Sequence, residues 1–148
     1  MLAKVDLSIV DPLDTSSFQI SLYQTTQMVC VITGQNTYKY LKLEDNMRAF
    51  KETHSQLVPH GRDNISTDYT AHCWAKDLVQ LIVATANGDI LVCAMSGEFL
   101  IYIPGSPQGH RIDCLVPYSR GFIATGQDGY IWPFEQSQLE NVVYRPQQ

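Results

Sequence analysis

Four histidines (His54, His60, His72, His110) and four cysteines (Cys30, Cys73, Cys93, Cys114) are the residues of this chain best suited to hold a metal or attack a substrate. Zinc sites draw on closely spaced pairs such as Cys-x-x-Cys, and no two cysteines here stand at that spacing. Cys73 directly follows His72, but neighbours on a strand point to opposite faces and cannot share one ion. No metal and no cofactor are therefore expected. Each cysteine stands singly inside an apolar run, the pattern of a small buried hydrophobe in a reducing compartment. Neither a Gly-x-Ser-x-Gly elbow, a Gly-x-Gly-x-x-Gly turn, a phosphate loop nor a His-Glu-x-x-His pair occurs. The expectation is a protein that is not an enzyme, with no catalytic residue assigned. His72, on an apolar strand beside Trp74, reads as a satisfied core histidine. Asp128 resembles a catalytic acid only superficially, because an aspartate at a tight hairpin bonds its own turn backbone. Trp74 and Trp132 are of the type that anchors interfaces, but each lies within a strand, where wedging between sheets is the plainer role.

The elements that position these residues are strands, since apolar residues recur mostly at every second position. Val5, Leu7 and Ile9 alternate with polar residues, as do Phe18, Ile20 and Leu22. Three apolar pairs flank turn residues: Met28–Thr33 with Tyr38–Leu43, Leu81–Thr85 with Ile90–Met95, and Phe122–Thr125 with Tyr130–Phe134. Each reads as a hairpin closed by Gly, Asn or Asp. Aligned on the threonine before each turn (Thr33, Thr85 and Thr125, 52 and 40 residues apart), they form an internal repeat near the roughly 40–45 residues of a four-stranded propeller blade. An upstream strand precedes each hairpin (Phe18–Tyr23, Tyr69–Trp74, Arg111–Pro117), and an outer strand follows (Met47–Lys51, Glu98–Ile103, Asn141–Tyr144). A helix near 46–56, capped by Asp45, competes with the first outer strand, and the repeat favours the strand.

The expected organisation is thus an all-β, incomplete propeller of antiparallel four-stranded blades. Residues 1–10 read as the outer strand of a preceding blade, 18–51, 69–103 and 111–144 as three blades, and 52–68 as an inserted loop. Three blades fall short of the four usual for closure, so the chain should need further blades, from more chain or a partner, to be stable. Pro133 removes a donor from a middle strand, which predicts a bulge or an early end to pairing there.

In the 148 residues, 10 Lys plus Arg stand against 15 Asp plus Glu, a net charge of −5 that offers no basic field for nucleic acid. No apolar run approaches the roughly 20 residues that span a bilayer, so no membrane partner is expected. The first residues lack the basic region and apolar run of a secretory signal, which points to an intracellular protein.

The run from Asp128 to Glu135 (Asp-Gly-Tyr-Ile-Trp-Pro-Phe-Glu) resembles the ending of a WD repeat, with Phe134-Glu135 in place of Trp-Asp. The run Asp68 to Asp77, followed by Val83–Ile90 and Ser96-Gly97-Glu98, is similar to the divergent WD repeats of the cilia- and flagella-associated proteins that dock on axonemal doublet microtubules near inner dynein arms. The upstream blade resembles them through Val31–Asn36 and lacks the Phe-x-Pro corner where Tyr23-Gln24 stands. The resemblance implies a WD40-like β-propeller in a motile cilium or flagellum, acting as a scaffold for axonemal dynein-arm or tether components. It implies that His110, in the Gly109-His110 pair, hydrogen-bonds within its blade with Asp128, and that Thr33, Thr85, Thr125, Trp74 and Trp132 are structural.

Protein contacts are expected on loops: His60 and Arg62 in the insertion, Gln127 in the third hairpin, and Pro104 and Pro107 in a segment whose stiffness lowers the entropy lost on docking. A surface insertion and a plain connector are the alternatives. An adaptor in ubiquitin transfer or trafficking, elsewhere in the cytoplasm, is the rival on the same fold, and a small β-rich hydrolase using Cys73 or Cys114 the rival of another class.

Overall fold

The computed structural model describes residues 18–24, 28–43, 50–54, 57, 65–75, 80–105, 108–136 and 144–146. Among these every regular element is a β-strand, and twelve strands form three antiparallel four-stranded sheets. Blade 1 holds β1 (Gln19–Gln24), β2 (Met28–Gly34), β3 (Thr37–Leu43) and β4 (Phe50–His54). Blade 2 holds β5 (Tyr69–Ala75), β6 (Gln80–Thr85), β7 (Ile90–Cys93) and β8 (Phe99–Ile103). Blade 3 holds β9 (Ile112–Tyr118), β10 (Gly121–Gly126), β11 (Ile131–Gln136) and β12 (Tyr144–Pro146). In each, strands pair in chain order as a meander, and no sheet closes on itself. The all-β class and the propeller-like blades are those the alternation announces. The strand expected over 1–10 lies outside the described residues.

The middle strands of blade 2 are apolar on both faces because that sheet lies between the other two. Val29, Val31, Tyr38 and Tyr40 of blade 1 meet Leu81, Val83 and Leu91 of blade 2 in one core. Ile82, Ala84, Ile90 and Val92 on the other face of blade 2 meet Leu115, Phe122, Ala124 and Phe134 of blade 3 in a second. Phe122 and Phe134 stack at 4.9 Å within that second core.

This alternation corrects the repeat register. Residues 81 and 83 of blade 2 face backwards onto blade 1, and 122 and 124 of blade 3 face backwards onto blade 2. Equivalent positions must therefore be an odd number of residues apart, because side chains change face at every residue. The threonine spacings of 52 and 40 are even. The strand ends Gly34, Thr85 and Gly126, at spacings of 51 and 41, are the true equivalents. The turns agree, since Gly88 N bonds Thr85 O and Gly129 N bonds Gly126 O, with both glycines at positive φ.

Three further expectations are revised. Pro133 pairs with Ile123 without a bulge, and the described pairing of β12 with β11 runs over Phe134–Gln136. The irregularity of blade 3 falls instead between Thr125 and Gly126, against β9. The first outer strand is Phe50–His54, so it takes the first residues of the expected 52–68 insertion. The described remainder of that segment does not project: Leu57 and Ile65 are buried between blades 1 and 2, since apolar side chains in a polar run anchor it to the core.

Candidate functional site

The hairpin ends of blades 2 and 3, with the connector between them, enclose a groove of about 260 Å³ lined by Pro104, His110, Thr125, Asp128, Trp132 and Phe134, among others. Strand β11 carries Trp132 and Phe134 two residues apart on one face; Phe134 enters the core, and Trp132 stays 40% exposed at its rim. Gly129, at φ 77°, turns the chain between Asp128 and the strand that carries Trp132. Asp128 Oδ1 accepts the Tyr130 backbone N–H at 3.0 Å, and Oδ2 accepts the Trp132 indole N–H at 2.6 Å. These two donors hold the Asp128 carboxyl below the usual carboxylate range. Tyr130 packs edge-on against Trp132 at 6.1 Å.

His110 Nδ1 lies 4.0 Å from Asp128 Oδ2, which is reach for an ion pair when the ring is protonated but too long for a hydrogen bond. At that distance the hydrogen bond between His110 and Asp128 that the resemblance implies is not made. Gln127 lies beside the groove and clasps Arg111, donating its backbone N–H to Arg111 O at 2.9 Å and accepting the Arg111 N–H on its Oε1 at 3.3 Å. Arg111 in turn bridges Asp113 at 2.8 Å and Asp68 at 3.7 Å, which ties the start of blade 3 to the start of blade 2.

The groove therefore collects Pro104, His110, Thr125, Asp128 and Trp132, with Gln127 alongside. It offers an apolar floor, an exposed indole held rigidly, and a rim bearing both charge signs. His60, Arg62 and Pro107 lie outside the described residues. Among the described residues no group of three or more His, Cys, Asp and Glu could hold a metal ion.

Thr33 and Trp74 belong to a different place, the seam between blades 1 and 2, centred on His72. His72 is 2% exposed. Thr33 Oγ1 lies 2.7 Å from its Nδ1 and Ser21 Oγ 2.6 Å from its Nε2. Burial pulls its pKa down to about 4, so the ring is neutral, donating from one nitrogen and accepting at the other. The Trp74 indole donates to the same Ser21 oxygen at 3.2 Å. The Gln19 amide bonds both the N–H and the C=O of His72 at 3.0 Å, extending the ladder across the seam with a side chain. Thr85 serves only its own turn, where its hydroxyl accepts the N–H groups of Asn87 and Asp89.

The seam was half legible: His72 reads from sequence as a satisfied core histidine, but its partners lie 39 and 51 residues upstream. Burial pushes the Cys73 and Cys93 thiols up to about 12, with Cys114 adding to the effect on Cys73. Both are thus thiols rather than thiolates at neutral pH.

No family model matches the chain. Over 73 residues it is 32% identical to cilia- and flagella-associated protein 57 A of Tetrahymena thermophila, a match that takes in 48% of this chain and 6% of that protein. The chain thus aligns with a small part of a much longer relative.

Proposed function

We propose that the protein is a non-catalytic WD-repeat scaffold of a motile cilium or flagellum, docking axonemal proteins near doublet microtubules and dynein arms through its loops and inter-blade surfaces. The observation that carries the docking role is the groove between blades 2 and 3, where a side-chain-bonded indole stands 40% exposed over an apolar floor. A rigid aromatic at the edge of a preformed cleft binds a partner with little loss of conformational entropy. The similarity to a cilia- and flagella-associated protein supports the place. The occupant this groove suits is an extended peptide segment that inserts an apolar side chain and meets Asp128 or Arg111 with a complementary charge.

Retention on detergent-extracted axonemes tests this reading, comparing the tagged wild-type protein with Trp132→Ala. The wild type stays bound to higher salt than the variant. Equal release of the two removes the groove from the docking role.

A further inference from the structure

The groove between blades 2 and 3 has two parts of different chemistry. Its floor is aliphatic, formed by Ile90 and Ile103 of blade 2 and Ile112 and Ala124 of blade 3. Its rim carries Trp132, the Asp128 carboxylate and Arg111. At about 260 Å³ it falls below the roughly 300–1,000 Å³ of sites that enclose whole small molecules, and it suits a single long side chain of a partner. An aliphatic stem over the floor with a polar head at the rim matches that division, since lysine and arginine bury their methylenes and keep the charge in water.

The sign of the head group follows from how the two rim charges are already used. Arg111 is shared between two carboxylates, Asp113 at 2.8 Å and Asp68 at 3.7 Å. An incoming acid finds that cation more than balanced. Asp128 is in the opposite position, because the Tyr130 backbone N–H at 3.0 Å and the Trp132 indole N–H at 2.6 Å are both neutral donors. A carboxylate offers about four acceptor positions, so these bonds leave room for a further donor. Among the described residues the one ion-pair partner of Asp128 is His110, which stands off at 4.0 Å. The bond from the indole also places the negative charge beside a ring whose π face attracts cations. Tyr130, 66% exposed and meeting Trp132 at 61°, adds a second aromatic ring at the same corner.

We propose that this groove recognises an arginine side chain of a partner protein, with its methylenes over the aliphatic floor, its guanidinium stacked on Trp132 and an N–H donated to Asp128. Arginine fits better than lysine because a planar guanidinium stacks on an indole, while an ammonium is a strongly hydrated point charge. Arginine recognition rests on the docking role proposed for the groove and narrows its occupant from a segment of either charge to one bearing a guanidinium.

Fluorescence polarisation of the 148-residue chain with fluorescein-labelled pools of degenerate octapeptides tests this, the pools differing only in a central arginine, citrulline or glutamate. Citrulline keeps the shape of arginine without its charge. The arginine pool binds at least about 10-fold more tightly than either of the others, and Asp128→Asn and Trp132→Ala each lower its affinity to that of the citrulline pool. Circular dichroism is unchanged in both variants. Equal binding of the pools, a preference for glutamate, an arginine preference that survives both substitutions, or no binding by any pool overturns arginine recognition. The docking role is read separately, from the retention of wild type and Trp132→Ala on axonemes.

Discussion

His72 occupies a position that blades 1 and 3 fill with Ile20 and Leu115, so its polarity serves one seam only. Its neutral ring is matched to Thr33 and Ser21, and removing one partner strands the other in a dry place. Thr33→Val is expected to lower stability by about 1–3 kcal/mol in urea unfolding, while Thr33→Val combined with His72→Leu recovers most of that loss. The pH dependence has a defined sign. A histidine held at about 4 when folded and near 6.5 when unfolded binds its proton first in the unfolded chain. Its contribution is therefore full above about pH 6.5, falls as pH drops towards 4, and is flat below that. Relative to His72→Leu, the wild type should lose about 3 kcal/mol across that window, read from urea midpoints at each pH. A parallel pair of curves would show that burial does not suppress His72 protonation.

Strand ends decide the repeat at the next scale. In the corrected register Thr33 and Thr125 remain equivalent while Thr85 is displaced by one residue: Thr33 sits in a buried inter-blade bond, Thr85 bonds its own turn, and Thr125 lies in a row with the exposed Cys114 and Ile131. Thr125→Val should accordingly change stability by less than about 0.5 kcal/mol, against the larger cost at Thr33. The register instead ends at Gly126, where an added Cβ would meet the Arg111 carbonyl oxygen at 2.0 Å. Gly126→Ala must push blade 3 off its inner strand and should cost about 2 kcal/mol or more. Gly129→Ala meets nothing within 4 Å and costs about 1 kcal/mol through its positive φ alone. Thermal melts of the two variants separate steric from conformational cost.

The hairpins themselves were legible because alternation and turn residues are local signals. The register was not, because the first turn is closed by two residues, Gln35 and Asn36, and the second by three, Ala86 to Gly88. That one-residue difference shifts the polar residue in front of the turn without changing which face packs. Pro133 misled because a proline in a strand need not shift its register: it sits opposite Ile123 in an unbroken ladder between β10 and β11. The groove was legible in its residues, since Pro104, His110, Asp128 and Trp132 stand out singly, but their meeting depends on how blades 2 and 3 stack.

At the scale of the whole molecule, the three described sheets stack without closure and leave Val116 and Ile131 of blade 3 exposed, and a groove with a fixed indole opens between blades 2 and 3. Under the proposed function both would serve other proteins, and the 32% identity over 73 residues to a cilia- and flagella-associated protein supports the ciliary setting of that proposal. Localisation of the tagged chain in cells with motile cilia, followed by detergent extraction and cross-linking mass spectrometry of the isolated axonemes, tests this most directly. The account predicts that the protein remains with the extracted axoneme and cross-links to other axonemal proteins from residues bordering the groove. A cytosolic signal released by detergent, with no axonemal cross-links, would contradict it.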